Sequence, residues 1–137
     1  MSKSATPRRL ADTEAKAVLR GLKGSQYKAA LVMGLIRGKK VEQALADLQF
    51  SPKSMAVSAR KLLMSAIANA ENNHQLNVDQ LYVKEAFADK GQVLKRFMPR
   101  ARGRAASILK HNCHMTVVVA EKAIAEKQDI KAEGKGK

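Results

Sequence analysis

Apolar residues recur along the chain with two spacings, one typical of strands and the other of helices. Residues 14–23 (EAKAVLRGLK) alternate apolar and polar side chains, which predicts a strand. Residues 81–88 predict a second strand, and the β-branched run at 115–119 (MTVVV) ends a third. If 81–88 pairs with 108–119, the connection between them is far longer than a tight turn.

Three segments between the first two strands have helical spacing. Residues 26–36 follow Ser25, a plausible N-cap, and residues 41–49 place apolar side chains about one turn apart. The third helix is expected to begin with Ser51 as its cap and Pro52 in its first turn. Its alanine-rich stripe predicts close packing against a helix or sheet and consists of Met55, Ala59, Leu62, Leu63, Ala66, Ile67 and Ala70.

The chain is strongly basic: its 137 residues include 26 Lys and Arg but only 12 Asp and Glu, which gives a net charge of +14. So large an excess favours a polyanionic partner. No apolar run approaches the roughly 20 residues that span a bilayer, and the N-terminus lacks a secretory signal, so no membrane partner is expected. The single cysteine, Cys113, agrees with a reducing, cytoplasmic location.

The positive charge is concentrated in two zones. Residues 1–40 hold ten basic and two acidic residues, whereas residues 41–88 are nearly neutral, with four basic and five acidic. Residues 90–112, between the last two predicted strands, hold seven basic residues and no acidic one. A segment of this composition cannot pack on its own core without burying charge, so phosphates are its expected neighbours, although a solvated loop remains the alternative.

Three bends are expected within this basic segment, at Gly91, Pro99 and Gly103. Arg100, Arg102 and Arg104 alternate, so in an extended backbone they would share one face.

A second basic cluster, Arg37, Lys39 and Lys40, lies between two predicted helices. Its cations suit either the carbonyl end of the first helix or a phosphate of a polyanionic partner, and the sequence leaves both open.

Residues with metal or catalytic chemistry are sparse. His111, Cys113 and His114 lie close together, but His114 would point away from the other two, and His74 is the only further histidine. A closed zinc site needs four ligands, so no metal and no cofactor are expected. The chain has no phosphate-binding Gly-rich loop, nucleophile elbow or carboxylate cluster, so neither an enzyme nor a small-molecule substrate is expected.

Three segments carry a resemblance to a known family. LIRGKKVEQALADL, SAIANAENN and KRFMPRARGRAASILKHNCHMTVVV, in this order and spacing, resemble the bacterial large-subunit ribosomal protein twenty-two family over roughly residues 12–120. The segment MPRARGRA is the most specific part. The family often has a Lys-x-Arg near the start of the first helix, and this chain has Lys28-Ala-Ala30 there, so one basic contact is missing.

The resemblance implies an α+β fold, in which three helices pack on a small three-stranded antiparallel sheet with a long protruding basic β-hairpin. The expected organisation is a basic N-terminal extension (1–11), one rRNA-binding domain (12–120) that includes the extended hairpin (85–115), and a charged, flexible C-terminal tail (121–137).

The implied function is that of a structural constituent of the large ribosomal subunit that binds 23S-type rRNA and aids assembly. Its implied partners are that rRNA, neighbouring ribosomal proteins and, at the hairpin tip, the nascent peptide in the exit tunnel. The expected rRNA contacts are Lys28, Arg37, Lys39, Lys40, Lys90, Lys95, Arg96, Arg100, Arg102, Arg104 and Lys110. The expected tunnel tip is Met98, Pro99, Arg100, Ala101, Arg102, Gly103, Arg104 and Ala105. The alternative is an architectural DNA-binding protein with a basic β-arm.

Overall fold

The computed structural model describes residues 10–121, which form one antiparallel sheet with helices on one face. Its strands are β1 (Glu14–Lys23), β2 (Leu81–Pro99) and β3 (Ala105–Glu121), with β3 in the centre. The α+β class is thereby confirmed. Most of the predicted N-terminal extension and C-terminal tail lies outside the described residues.

Three helices cover the sheet: α1 (Gln26–Ile36), α2 (Val41–Phe50) and α3 (Ser54–His74). The predicted first and second helices are confirmed. The expected start of the third is wrong: Lys53 is the N-cap, and Ser51 instead ends α2 in an extended conformation. None of the helices between residues 10 and 121 is long and apolar enough to span a membrane.

The core lies between the sheet and the helices. Leu63 on α3 and Met33 on α1 are fully buried against the inner face of the sheet, which includes Val83, Met115 and Val117. The predicted stripe on α3 is confirmed, with all its members buried except Ile67, which packs at the core margin. Its alanines leave little side-chain bulk at the helix surface, so α3 packs closely against the sheet.

β2 and β3 continue well beyond the end of β1. Pairing with β1 ends at Asn112, but β2 and β3 stay paired from Val93 with His111 out to Pro99 with Ala105. We call residues 93–111 the arm. At about 3.3 Å per residue, its seven-residue ladder extends about 23 Å.

This ladder confirms one expectation and corrects another. The basic segment is the long hairpin that the family resemblance implies, because its two halves pair residue by residue. The partner of residues 81–88 is 115–121 rather than 108–119, and residues 105–111 pair within the arm instead.

Candidate nucleic-acid interface

The base of the arm depends on a close backbone approach at Gly91. The β2–β3 register shifts between Lys90 and Val93, and a Cβ at Gly91 would lie 2.9 Å from the carbonyl oxygen of Asn112. Any side chain here would therefore push the two strands apart. The bend expected at Gly91 coincides with this irregularity.

Both faces of the arm carry cations beside apolar side chains. Paired residues of an antiparallel ladder project to the same face, so Lys95 neighbours Leu109, and Arg96 neighbours Ile108 on the opposite face. Phe97 is 72% exposed and Leu109 is 50% exposed. Sequence reasoning singled out the cations and missed these apolar side chains, although their interleaving with Lys and Arg is visible in the sequence.

The tip is a tight turn rather than an extended run of arginines. Residues Ala101–Gly103 form one 3-10 turn, and the backbone N–H of Arg100 donates to the carbonyl of Arg104 across it at 2.8 Å. Arg102 has φ +57° and Gly103 has φ +70°, both in the left-handed region. The expectation that Arg100, Arg102 and Arg104 share one extended face is therefore wrong, because the turn splays them.

Cations of the arm are exposed and have no carboxylate beside them. The chain from Lys90 to Cys113 contains no acidic residue, and no ion pair involves this segment within residues 10–121. Among the arm cations, the Arg96 guanidinium donates a hydrogen bond to the Lys95 carbonyl at 2.9 Å. Seven of the predicted rRNA contacts lie along the arm or at its base: Lys90, Lys95, Arg96, Arg100, Arg102, Arg104 and Lys110.

The cluster between α1 and α2 lies on the globular body, and two of its cations have internal partners. The Arg37 guanidinium donates to the Ala86 carbonyl at 2.5 and 3.1 Å, and the Lys39 ammonium pairs with Asp47 at 2.7 Å. Lys40 is exposed and has neither kind of partner among the described residues. The bonds of Arg37 and Lys39 pin this connection to β2 and α2, which reduces their availability for phosphate.

Lys28 lies apart from both groups, exposed on α1. The structure thus brings the arm cations together and leaves Lys28 and the α1–α2 cluster as separate sites on the body.

Cys113 and His114 of β3 both have roles within the fold. Cys113 is fully buried in the core, and burial raises the pKa of its thiol above the ordinary 9.0. His114 accepts a hydrogen bond at Nδ1 from the backbone N–H of Gly21 at 2.9 Å, beside a bulge in β1. No group of three potential metal ligands occurs in the described part of the chain.

Comparison with known proteins identifies a family for this chain. The family model described as ribosomal protein L22p/L17e matches residues 17–120. A large ribosomal subunit protein uL22 of Methylobacterium sp. (strain 4-46) is 62% identical over 121 residues, which cover 88% of this chain and 95% of the relative. The protein of the same name from Beijerinckia indica is 60% identical, with 88% and 94% covered. That of Rhodospirillum rubrum is 57% identical over 122 residues, with 89% and 97% covered. These matches extend over nearly all of the described sheet, helices and arm, and the chain belongs to the ribosomal protein L22p/L17e family.

Proposed function

We propose that the chain is a structural constituent of the large subunit of the cytoplasmic ribosome, which binds 23S-type rRNA and supports subunit assembly. The observation that carries the proposal is the arm, whose six Lys and Arg side chains have no ion-pair partner among residues 10–121 and whose sequence contains no acidic residue. The relatives are named as large-subunit proteins, so an enzymatic role and the DNA-binding alternative have no support from them.

The shape of the arm favours insertion between RNA segments over lying flat on one. An isolated two-stranded hairpin is marginally stable in water, and like charges along it add repulsion. Because cations lie on both faces of the ladder, phosphates on either side would relieve that repulsion. The apolar side chains of Phe97 and Leu109 would meanwhile lie against riboses and bases.

The tip supports the second part of the proposal, that it lines the peptide exit tunnel beside the nascent chain. A turn closed by the Arg100–Arg104 hydrogen bond presents a compact, cationic end of fixed shape. Such an end is suited to forming part of a wall, whereas the ladder behind it provides the anchoring contacts.

Salt dependence tests the RNA-binding part. The double substitution Lys95→Ala/Arg96→Ala should make the dependence of log affinity on log salt shallower. Two lost phosphate contacts, at about 0.7–0.9 each, should reduce the magnitude of the slope by about 1.4–1.8. The matched control is Arg60→Ala/Lys61→Ala, a neighbouring exposed Arg-Lys pair on α3, which should leave the slope unchanged. Filter binding to large-subunit rRNA measures both. Equal slopes for the two doubles would refute arm-mediated binding, and a salt-independent affinity would refute the phosphate mechanism.

Tip variants test the tunnel assignment separately. Arg104→Ala, or deletion of residues 99–102, should leave subunit yield near wild type, since the ladder and body keep their contacts. Translation in the presence of a macrolide, and at nascent-chain stalling sequences, should change because the tunnel bore changes. Normal drug and stalling responses combined with failed assembly would make the arm an assembly anchor and the tunnel assignment wrong.

A further inference from the structure

The outer face of α1 exposes large apolar side chains at helical spacing. Tyr27, Leu31 and Leu35 lie four residues apart and are 80%, 69% and 42% exposed. Phe50, at the end of α2, is 83% exposed. Isolated exposed apolar residues are ordinary, but a contiguous set of this size marks a surface that another molecule covers.

A groove joins three of these side chains, Leu31, Leu35 and Phe50. Leu31 and Leu35 form one wall, and Phe50 and Pro52 form the other, around a volume of about 410 Å³. The groove is formed because α2 ends at Phe50 and the chain crosses to α3 in extended conformation over residues 51–53. It lies on a different element from the arm.

The charge at the two ends of this groove differs. At one end the groove adjoins a second pocket, which shares Leu31 and Lys53 with it and is also lined by Lys28; this end lies at the first turn of α3, where no acidic residue offsets the helix dipole. Neither lysine has an ion-pair partner in the described part of the chain. Asp47 lines the other part of the groove and is already neutralised by Lys39 at 2.7 Å. The Lys28–Lys53 end therefore lacks a compensating negative charge, which a binding partner would have to supply.

An apolar groove with a cationic end fits a protein segment better than RNA. A concave groove lined by Leu31, Leu35 and Phe50 admits the apolar side chains of a peptide, whereas a nucleic acid binds mainly through its phosphates, for which only the two lysines at one end offer donors. A peptide that inserts apolar side chains between α1 and Phe50, and places a carboxylate beside the two lysines, satisfies both requirements.

We propose that this groove docks an apolar segment of a second protein of the large subunit, bearing an Asp or Glu next to its apolar anchor. The proposal rests on the proposed function only in taking the large subunit as the setting. Within that setting the chain would use chemically different surfaces for its two classes of partner: the arm for RNA and the groove for protein. Lys28 would then face a protein carboxylate instead of the rRNA phosphate expected from the sequence.

Photocrosslinking in purified large subunits tests the groove. A benzophenone amino acid in place of Leu31 should give an adduct with one subunit protein, whose crosslinked peptide contains apolar residues flanked by Asp or Glu. The control places the same group at Met64, which is 53% exposed on α3 and lines none of these grooves, and should not give that adduct. An adduct with rRNA at Leu31, or no adduct, would overturn the proposal, as would a crosslinked peptide without an acidic residue.

A third position keeps this result separate from the RNA-binding proposal. The benzophenone at Leu109 in the arm should crosslink to rRNA; failure there with success at Leu31 would count against the RNA proposal alone.

Direct binding gives a second, independent measurement. A synthetic peptide of the crosslinked segment should bind the isolated protein, and Leu31→Asp/Phe50→Asp should weaken that binding by on the order of tenfold or more. Lys28→Glu/Lys53→Glu should also weaken it, and Met64→Asp should not. Unchanged affinity in the Leu31/Phe50 variant would overturn the proposal even if the crosslink were found. All these positions are exposed, so circular dichroism should show the fold intact in each variant.

Discussion

Removal of the arm should leave the globular body nearly as stable as before. The test protein replaces residues 94–110 with an Asn-Gly turn, a sequence suited to closing a two-residue hairpin. None of the removed residues belongs to the hydrophobic core, and only Leu94 and Ile108 among them are even half-buried. Because neither side chain belongs to the core or packs against it, their loss removes no core packing.

The expected change in the free energy of unfolding is within about 1 kcal/mol, since the burial lost within the arm is largely offset by the backbone entropy that ordering it costs. The contrast is Leu63→Ala, which removes a fully buried core side chain and should cost about 2–5 kcal/mol. Urea unfolding followed by circular dichroism in the absence of RNA measures both. A loss above about 2 kcal/mol in the armless protein, comparable to that in Leu63→Ala, would show that the arm stabilises the body and refute this reasoning.

Three further predictions concern single positions. Gly91→Ala should distort the base of the arm, because its Cβ would meet the Asn112 carbonyl at 2.9 Å; rRNA affinity should fall while Leu63 stays protected in hydrogen exchange. Gly103→Val, at φ +70°, should open the tip turn at a cost of about 1–2 kcal/mol, visible as faster amide exchange at Arg104 with unchanged global unfolding. Cys113 should resist alkylation in the native protein and react in urea. Because burial raises the pKa of its thiol, stability should fall as pH rises above about 9, where only the unfolded chain gains thiolate.

Local periodicity was sufficient to predict the body of the fold. The bounds expected for β1 and α1 agree with the structure, and the α3 stripe faces the core as its spacing requires. The start of α3 was misjudged because Ser51-Pro52 matches a helix start in composition. The backbone nevertheless stays extended through Lys53, whose φ of −76° and ψ of 127° no local residue preference required.

Non-local contacts account for the remaining differences. Charge density alone left a solvated loop open for the arm, and only the family resemblance implied a hairpin. Side chains that favour a strand, such as Val93 and Ile108, take effect only when both halves pair across the turn. Likewise, the Ala86 carbonyl that holds Arg37 is 49 residues away in sequence, so a partner for this cation was not visible from its neighbours.

The two proposed surfaces differ in physical chemistry, and salt should therefore separate them. Phosphate contacts release counterions, so the affinity of the arm for RNA should fall steeply as salt rises. Burial of Leu31 and Phe50 is insensitive to moderate salt and is strengthened by sulfate, although the contribution of Lys28 and Lys53 to the same contact is screened. A salt wash that strips rRNA from the protein should consequently leave the protein partner bound. Loss of both partners at the same salt concentration would mean that the groove contact is itself electrostatic and that the leucines contribute little to it.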